Sequence, residues 1–281
     1  MPTKPIPFWK LSGSGNDFII IDYRNHTMPS PDEMRMFVSK VCRRGLSVGS
    51  DGVIIIKSSK IADFGWHYYN ADGGEVDMCA NGTRCAARFA FENKIAPAKH
   101  TFETLAGIVN AEVVQENGVQ VRVQLPDPSA AHLGMDITLG DQTLTGHFVN
   151  TGVEHVVYFV DDVQKTDIIG LGRKTRYHHL FAPSGTNANF ITVTDPHNIA
   201  IRTYERGVEN ETLACGTGSI AAALIATALE KVTPPVSLHT QSGMILEVNF
   251  RQEGTTFKDV SLKGDARVIY KGEIEQEALL S

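Results

Sequence analysis

Cysteine is scarce in this chain, basic charge is not in excess, and no apolar run is long. Each absence excludes something. The 281 residues include four cysteines, Cys42, Cys79, Cys85 and Cys215. None forms a CxxC pair, and the six-residue step from Cys79 to Cys85 is wrong for a zinc knuckle. A chain of this length builds its own core, so a disulfide framework is not needed. His178-His179 is the only histidine pair and lacks companion ligands at metal spacing, so no metal is expected. Lys and Arg total 26 against 32 Asp and Glu, with no basic cluster, which argues against a nucleic-acid partner. The most apolar stretch, 220–229, is far short of the ~20 residues that span a bilayer. The opening MPTKPIPFWK carries no signal core. The expectation is a cytoplasmic protein without a membrane partner.

What is present describes a folded α/β chain. A hydrophobic share of 42% supports a core, and the length allows two domains. Short β-branched and aromatic runs bounded by Gly, Pro, Asn or Asp predict strands at 18–22, 53–57, 119–125, 155–160, 190–193, 245–250 and 266–270. Three helices are legible. Ser30, Pro31 and Glu33 make a capping box with proline in the first turn, and the apolar face Met34, Phe37, Val38, Val41 follows, with a stop at Gly45. A second helix is predicted over about 80–94. A third, over about 216–231, is apolar nearly all round and therefore enclosed. Two motifs are decoys. Gly45-Leu-Ser-Val-Gly49 matches GxSxG but follows a helix and precedes a strand, the wrong order for a nucleophile turn. Ser12-Gly-Ser-Gly15 lacks the phosphate-loop pattern and leads into a strand.

A weak internal repeat is more informative. Tyr69 to Gly82 and Tyr204 to Gly218 each run from an aromatic through an acidic loop to a cysteine and a helix. The landmarks stay in register. Gly107 and Gly243 lie 28 residues after Cys79 and Cys215, and Gly49 and Gly185 lie 30 before. Gly15 and Gly152 open a strand at similar offsets. The bland interpretation is a duplicated scaffold; the sharper one is two equivalent helix starts facing each other across a cleft.

Two cysteines at two helix starts make chemistry. The first helical amides lack intrahelical partners, and the dipole places partial positive charge there, which favours a thiolate and binds a carboxylate. Ala80, Asn81, Gly82, Gly216, Thr217 and Gly218 are small or turn-friendly, so a ligand can approach the backbone. One thiolate could remove an α-proton while a thiol on the other face returns one. Taken alone, each cysteine could equally be a buried small hydrophobe, His155 a core histidine and Glu205-Arg206 a surface ion pair.

The motifs Ser14 to Phe18, Tyr69 to Glu75, Met78 to Cys85, Tyr204 to Gly207 and Ala214 to Gly218 together resemble those of the diaminopimelate epimerases, in order and over nearly the whole chain. The resemblance implies two pseudo-symmetric α/β (α+β) domains, each a curved, mainly antiparallel sheet around a central helix, with the active site in the cleft between them. The boundaries are 1–125, with a closing strand near 264–281, and 126–263. It implies epimerisation of LL- to meso-diaminopimelate in lysine and peptidoglycan precursor synthesis, without pyridoxal phosphate or any other cofactor, by a homodimer. Carried over by motif, Cys79 and Cys215 are the acid/base pair. Asn16, Asn70, Ala80, Asn81, Asn187, Gly216 and Thr217 bind substrate, Glu205 contacts an ammonium, Arg206 holds the distal carboxylate and His155 supports the site. Facing sulfurs could also form an inactivating disulfide on oxidation. Three departures from the usual pattern stand out. Ala80 replaces a Gly, Gly52 replaces a Gln, and Val153-Glu154 replaces Asn-Pro. The last two remove side chains that could reach the far end of the substrate. The alternative is therefore a racemase or epimerase of glutamate, histidine or proline on the same fold.

Overall fold

The computed structural model describes residues 5–114, 118–254 and 256–280. The chain forms two compact units, residues 1–123 with 264–281, and residues 124–263. No helix among the described residues is long and apolar enough to cross a membrane.

In the first unit the chain runs β1 (Ile6–Gly13), β2 (Asn16–Asp22), α1 (Pro31–Val41), β3 (Gly52–Lys57), β4 (Phe64–Asn70), β5 (Glu75–Val76), α2 (Ala80–Glu92), β6 (Lys99–Thr104) and β7 (Gly107–Val113), then β8 (Gln120–Gln124). β2 pairs parallel with β3 and β4 with β6, while β1–β2, β3–β4, β4–β5 and β6–β7 are antiparallel. Strand β3 is buried on both faces, as its unbroken apolar run requires. Val53 and Ile55 join Ile19, Ile21 and the α1 residues Met34, Val38 and Val41 in one cluster. On the opposite face, Ile54 and Trp66 lie against Gly82 of α2, where a Cβ would stand 3.4 Å from each. The capping box at Ser30 and Glu33 is formed, but α1 ends at Val41 and not at Gly45, because Cys42 already caps it.

The second unit repeats this order. It has β9 (His132–Leu139), β10 (Gln142–Asn150), β11 (Glu154–Phe159), α3 (Ile168–Arg176), β12 (Asn187–Asp195), β13 (Asn198–Glu205), β14 (Asn210–Thr212), α4 (Gly216–Ala228), β15 (Val236–His239), β16 (Ile245–Glu253) and β17 (Thr256–Asp265). Again β11–β12 and β13–β15 are the parallel pairs. Buried Val156, Tyr158, Ala188, Phe190 and Tyr204 pack with α3, and α4 is enclosed by strands on its other sides. The registers coincide. Phe18 pairs with Gly52 as His155 pairs with Asn187, and Val53 pairs with Tyr69 as Ala188 pairs with Tyr204. β18 (Arg267–Ile274) closes the first unit by pairing antiparallel with β1.

Candidate active site

Each unit sets a cysteine at the N-cap of its enclosed helix. In the first, Cys79 is extended at φ −145° and ψ 113°, and its sulfur accepts from the Gly82 amide at 3.4 Å. In the second, Cys215 is extended at φ −115° and ψ 112°, with its sulfur 3.5 Å from Thr217 Oγ1. The backbone turns into the helix immediately after each sulfur, so the first-turn amides that lack helical partners follow directly. Gly218 is required beside Cys215, because a Cβ there would lie 2.3 Å from Asn189 Oδ1 and 3.3 Å from the Cys215 sulfur. Cys42 and Cys85 are different. Burial pushes the Cys42 thiol up to about 12 and raises that of Cys85 further, and neither sits at a helix start.

Around Cys79 the polar side chains form a chain anchored on a buried cation. Arg84 is fully buried. Its guanidinium donates to Asn81 Oδ1 at 2.9 Å, Ser14 Oγ at 2.9 Å, Ala80 O at 3.1 Å and Asp265 O at 3.2 Å. Asn81 in turn donates to Asn16 Oδ1 at 2.5 Å, and Asn16 donates to Asp51 Oδ2 at 3.1 Å. Asp51 and Asp17 share Arg44, while Lys10 pairs with Asp17 at 2.9 Å. Burial alone would raise the Asp17 carboxyl, but its contacts with Arg44, Lys10 and the Asp51 amide bring it down to about 2. Asn70 stands at the exposed end of β4, accepting from the Tyr68 hydroxyl at 2.8 Å.

Gly52 lies beneath that tyrosine. A Cβ there would meet Tyr69 O at 2.6 Å and Tyr68 Cε2 at 2.7 Å. The place that a longer side chain at position 52 would need is therefore filled by Tyr68. Ala80 sits buried in the first helical turn.

Around Cys215 the sheet face toward α4 is polar where the first unit is apolar. His155, Asn187, Asn189 and Thr203 occupy it, at the registers of Phe18, Gly52, Ile54 and Tyr68. Asn189 donates to Val156 O at 2.9 Å, contacts His155 Nδ1 at 3.1 Å and accepts from Thr203 Oγ1 at 3.0 Å. An amide nitrogen only donates, so His155 Nδ1 accepts and its proton is on Nε2. That Nε2 is buried without a partner among the described residues. Burial, with Arg206 nearby, lowers the imidazole to about 3, so it is neutral. Glu205 accepts from Thr212 Oγ1 at 2.9 Å. Burial raises its carboxyl, with hydrogen bonds from Thr212 and Cys215 offsetting part of the rise.

Glu205 and Arg206 are not an ion pair with each other. Arg206 Nη1 instead meets Glu154 Oε2 at 2.7 Å and donates to Ser184 O and Gly185 O at 3.3 Å. Sequence reasoning missed this carboxylate, since only the parallel β11–β12 register brings residue 154 beside the end of β13. It also missed Arg84 as an anchor, for which its place one turn into α2 was the available signal. Among the described residues no group of three or more His, Cys, Asp or Glu could hold a metal ion.

The fold is found in solved structures of several activities. A phenazine biosynthesis protein of the PhzF family from Bacillus anthracis superposes with TM-score 0.73 at 18% identity, covering 97% of this chain and all of that one. A probable proline racemase from Agrobacterium radiobacter K84 gives TM-score 0.72 at 14% identity, over 96% and 93%. The architecture thus belongs to a class of duplicated α/β folds. Sequence narrows the class. A family described as diaminopimelate epimerase matches residues 8–129 and 147–269. The diaminopimelate epimerase of Aquifex aeolicus (strain VF5) is 44% identical over 280 residues, covering 97% of this chain and 99% of that protein. That of Archaeoglobus fulgidus is 41% identical over 249 residues, covering 85% and 88%. The chain belongs to the diaminopimelate epimerase family.

Proposed function

We propose that this protein interconverts LL- and meso-diaminopimelate by a two-base proton transfer in which Cys79 and Cys215 are acid and base. The observation that carries this is the duplicated helix start, one cysteine N-cap per unit, in a chain of this family. Inversion at carbon needs a base and an acid of matched strength, and a thiolate with a thiol supplies both. The thiolate takes the α-proton and becomes a thiol; the other thiol delivers its proton and becomes a thiolate. Exchange with water then restores the pair. The helix-start amides that follow each cysteine hold the α-carboxylate and stabilise the charge that develops as the proton leaves.

The other residues have support roles in this scheme. Asn16 and Asn81, fixed by Arg84 and Asp51, and Asn70 and Asn187 hydrogen-bond the substrate. Glu205 meets an ammonium, Arg206 takes the distal carboxylate, and His155 packs neutral behind Cys215. Acid, base and electrostatic stabilisation all come from the chain, so no pyridoxal phosphate takes part. A homodimer working in the cytoplasm, in lysine biosynthesis, belongs to the same proposal; light scattering of the purified protein checks its mass.

Two observations favour a second reading, racemisation of glutamate, histidine or proline. Arg206 is already engaged by Glu154, and Gly52 is filled in by Tyr68. Proton NMR in heavy water separates the two. With reduced protein, the α-proton signal of LL-diaminopimelate should vanish as the meso form appears, while the other three amino acids stay unexchanged. Exchange of one of those three in its place would favour the second reading.

A further inference from the structure

We infer that Glu154 is a specificity-determining residue that, side by side with Arg206, receives the non-reacting end of the substrate: Glu154 takes its ammonium and Arg206 its carboxylate. The inference rests on the proposed function and goes beyond it, because that scheme gives Glu154 no role.

Three observations carry it. First, the pair is held by the fold and not by chance surface contact. Asn187, 3% exposed, donates through Nδ2 to Glu154 O at 2.9 Å and accepts at Oδ1 from the Arg206 amide at 2.8 Å. One buried amide thereby ties the start of β11 to the end of β13 and sets the two side chains next to each other. Second, the groups are only partly used. Arg206's side-chain hydrogen bonds to Ser184 O and Gly185 O both leave from Nη1, and among the described residues Nη2 donates no hydrogen bond. Glu154 uses only Oε2 in the ion pair, and both side chains keep part of their surface in solvent, 30% and 25%. Third, they stand at the site. Glu154 precedes His155, and Arg206 follows Glu205, whose carboxyl hydrogen-bonds Cys215.

A donor edge beside an acceptor oxygen matches an ammonium and a carboxylate borne on one carbon. It is a poor match for an end that carries a carboxylate alone, since Glu154 would then face that anion without compensation. The pair thus selects a zwitterionic far end.

The test compares Glu154→Gln with the unsubstituted protein on two compounds, LL-diaminopimelate and 2-aminopimelate, which has the distal carboxylate but no distal ammonium. A charge-assisted hydrogen bond to a part-exposed carboxylate predicts a fall of about tenfold in kcat/KM on diaminopimelate, mainly through KM. On 2-aminopimelate kcat/KM should stay level or rise, because the variant no longer sets a carboxylate against the distal anion. Glu154→Asp should recover part of the loss. Equal losses on both compounds would overturn the assignment, as would a gain on diaminopimelate, which would mean that Glu154 only competes for Arg206. Failure of the functional reading looks different: the unsubstituted protein would exchange neither compound, and the inference would fall with it.

Discussion

Replacing Arg84 with methionine tests whether one buried cation organises the first helix start. The guanidinium is fully enclosed and donates four hydrogen bonds. Two of its acceptors keep another partner without it. Ala80 O still accepts from Thr83 Oγ1 at 2.8 Å, and Ser14 Oγ still donates to Asp265 Oδ1 at 2.8 Å. Asn81 Oδ1 and Asp265 O each lose a hydrogen bond from the guanidinium. At about 1.5–3 kcal/mol for each buried hydrogen bond to a charged donor that is lost, less the relief of no longer burying a charge, the loss should be about 2–4 kcal/mol. Urea unfolding followed by circular dichroism reads it. The same change frees Asn81, which Arg84 and Asn16 hold from either side, so kcat for the epimerisation should fall at least about tenfold. Arg84→Lys keeps the charge but not the fork, and should restore stability more than rate. A methionine variant within about 1 kcal/mol of the parent, turning over at the parental rate, would refute the reasoning.

Gly218→Ala should cost about 1–3 kcal/mol, because its Cβ would press on Asn189 Oδ1 at 2.3 Å. It should also change the rate at which Cys215 is alkylated, whereas Gly254→Ala, whose Cβ meets nothing within 4 Å, should leave that rate alone. Burial of neutral His155 makes stability depend on pH. Its folded value is depressed to about 3, so below the ordinary 6.5 the unfolded imidazole binds a proton that the folded one refuses. Its contribution is full above pH ~6.5 and declines by about 1.4 kcal/mol per pH unit toward pH 3. His155→Phe, which copies Phe18 at the matching register, should flatten that slope in acid unfolding curves.

The parts legible in the sequence were those written in local pattern. The capping box fixed the start of α1, the β-branched run Val53 to Ile56 announced a strand, and spacing between glycines and cysteines exposed the duplication. Eleven strand segments were not read, among them β1, β4 and β13, because Trp66-His-Tyr-Tyr69 and similar mixed runs alternate too weakly to signal a strand. Helix α3 was missed as well. It holds Gly170 and Gly172, which lower helix propensity, yet Gly172 lies so close to Tyr204 that a Cβ would stand 2.3 Å away. Tertiary packing decided that element. The same holds for the candidate site. The cysteines announced themselves as helix starts, while the Glu154–Arg206 pair depends on a strand register that local sequence does not encode.

The central claim is that each cysteine performs half of one proton transfer. Cys79→Ala and Cys215→Ala, each incubated in heavy water with LL- and then with meso-diaminopimelate, test it most directly. Interconversion should cease in both variants, and each should retain α-proton exchange from one stereoisomer only, the two variants differing in which. Interconversion at the parental rate by either variant would contradict the account.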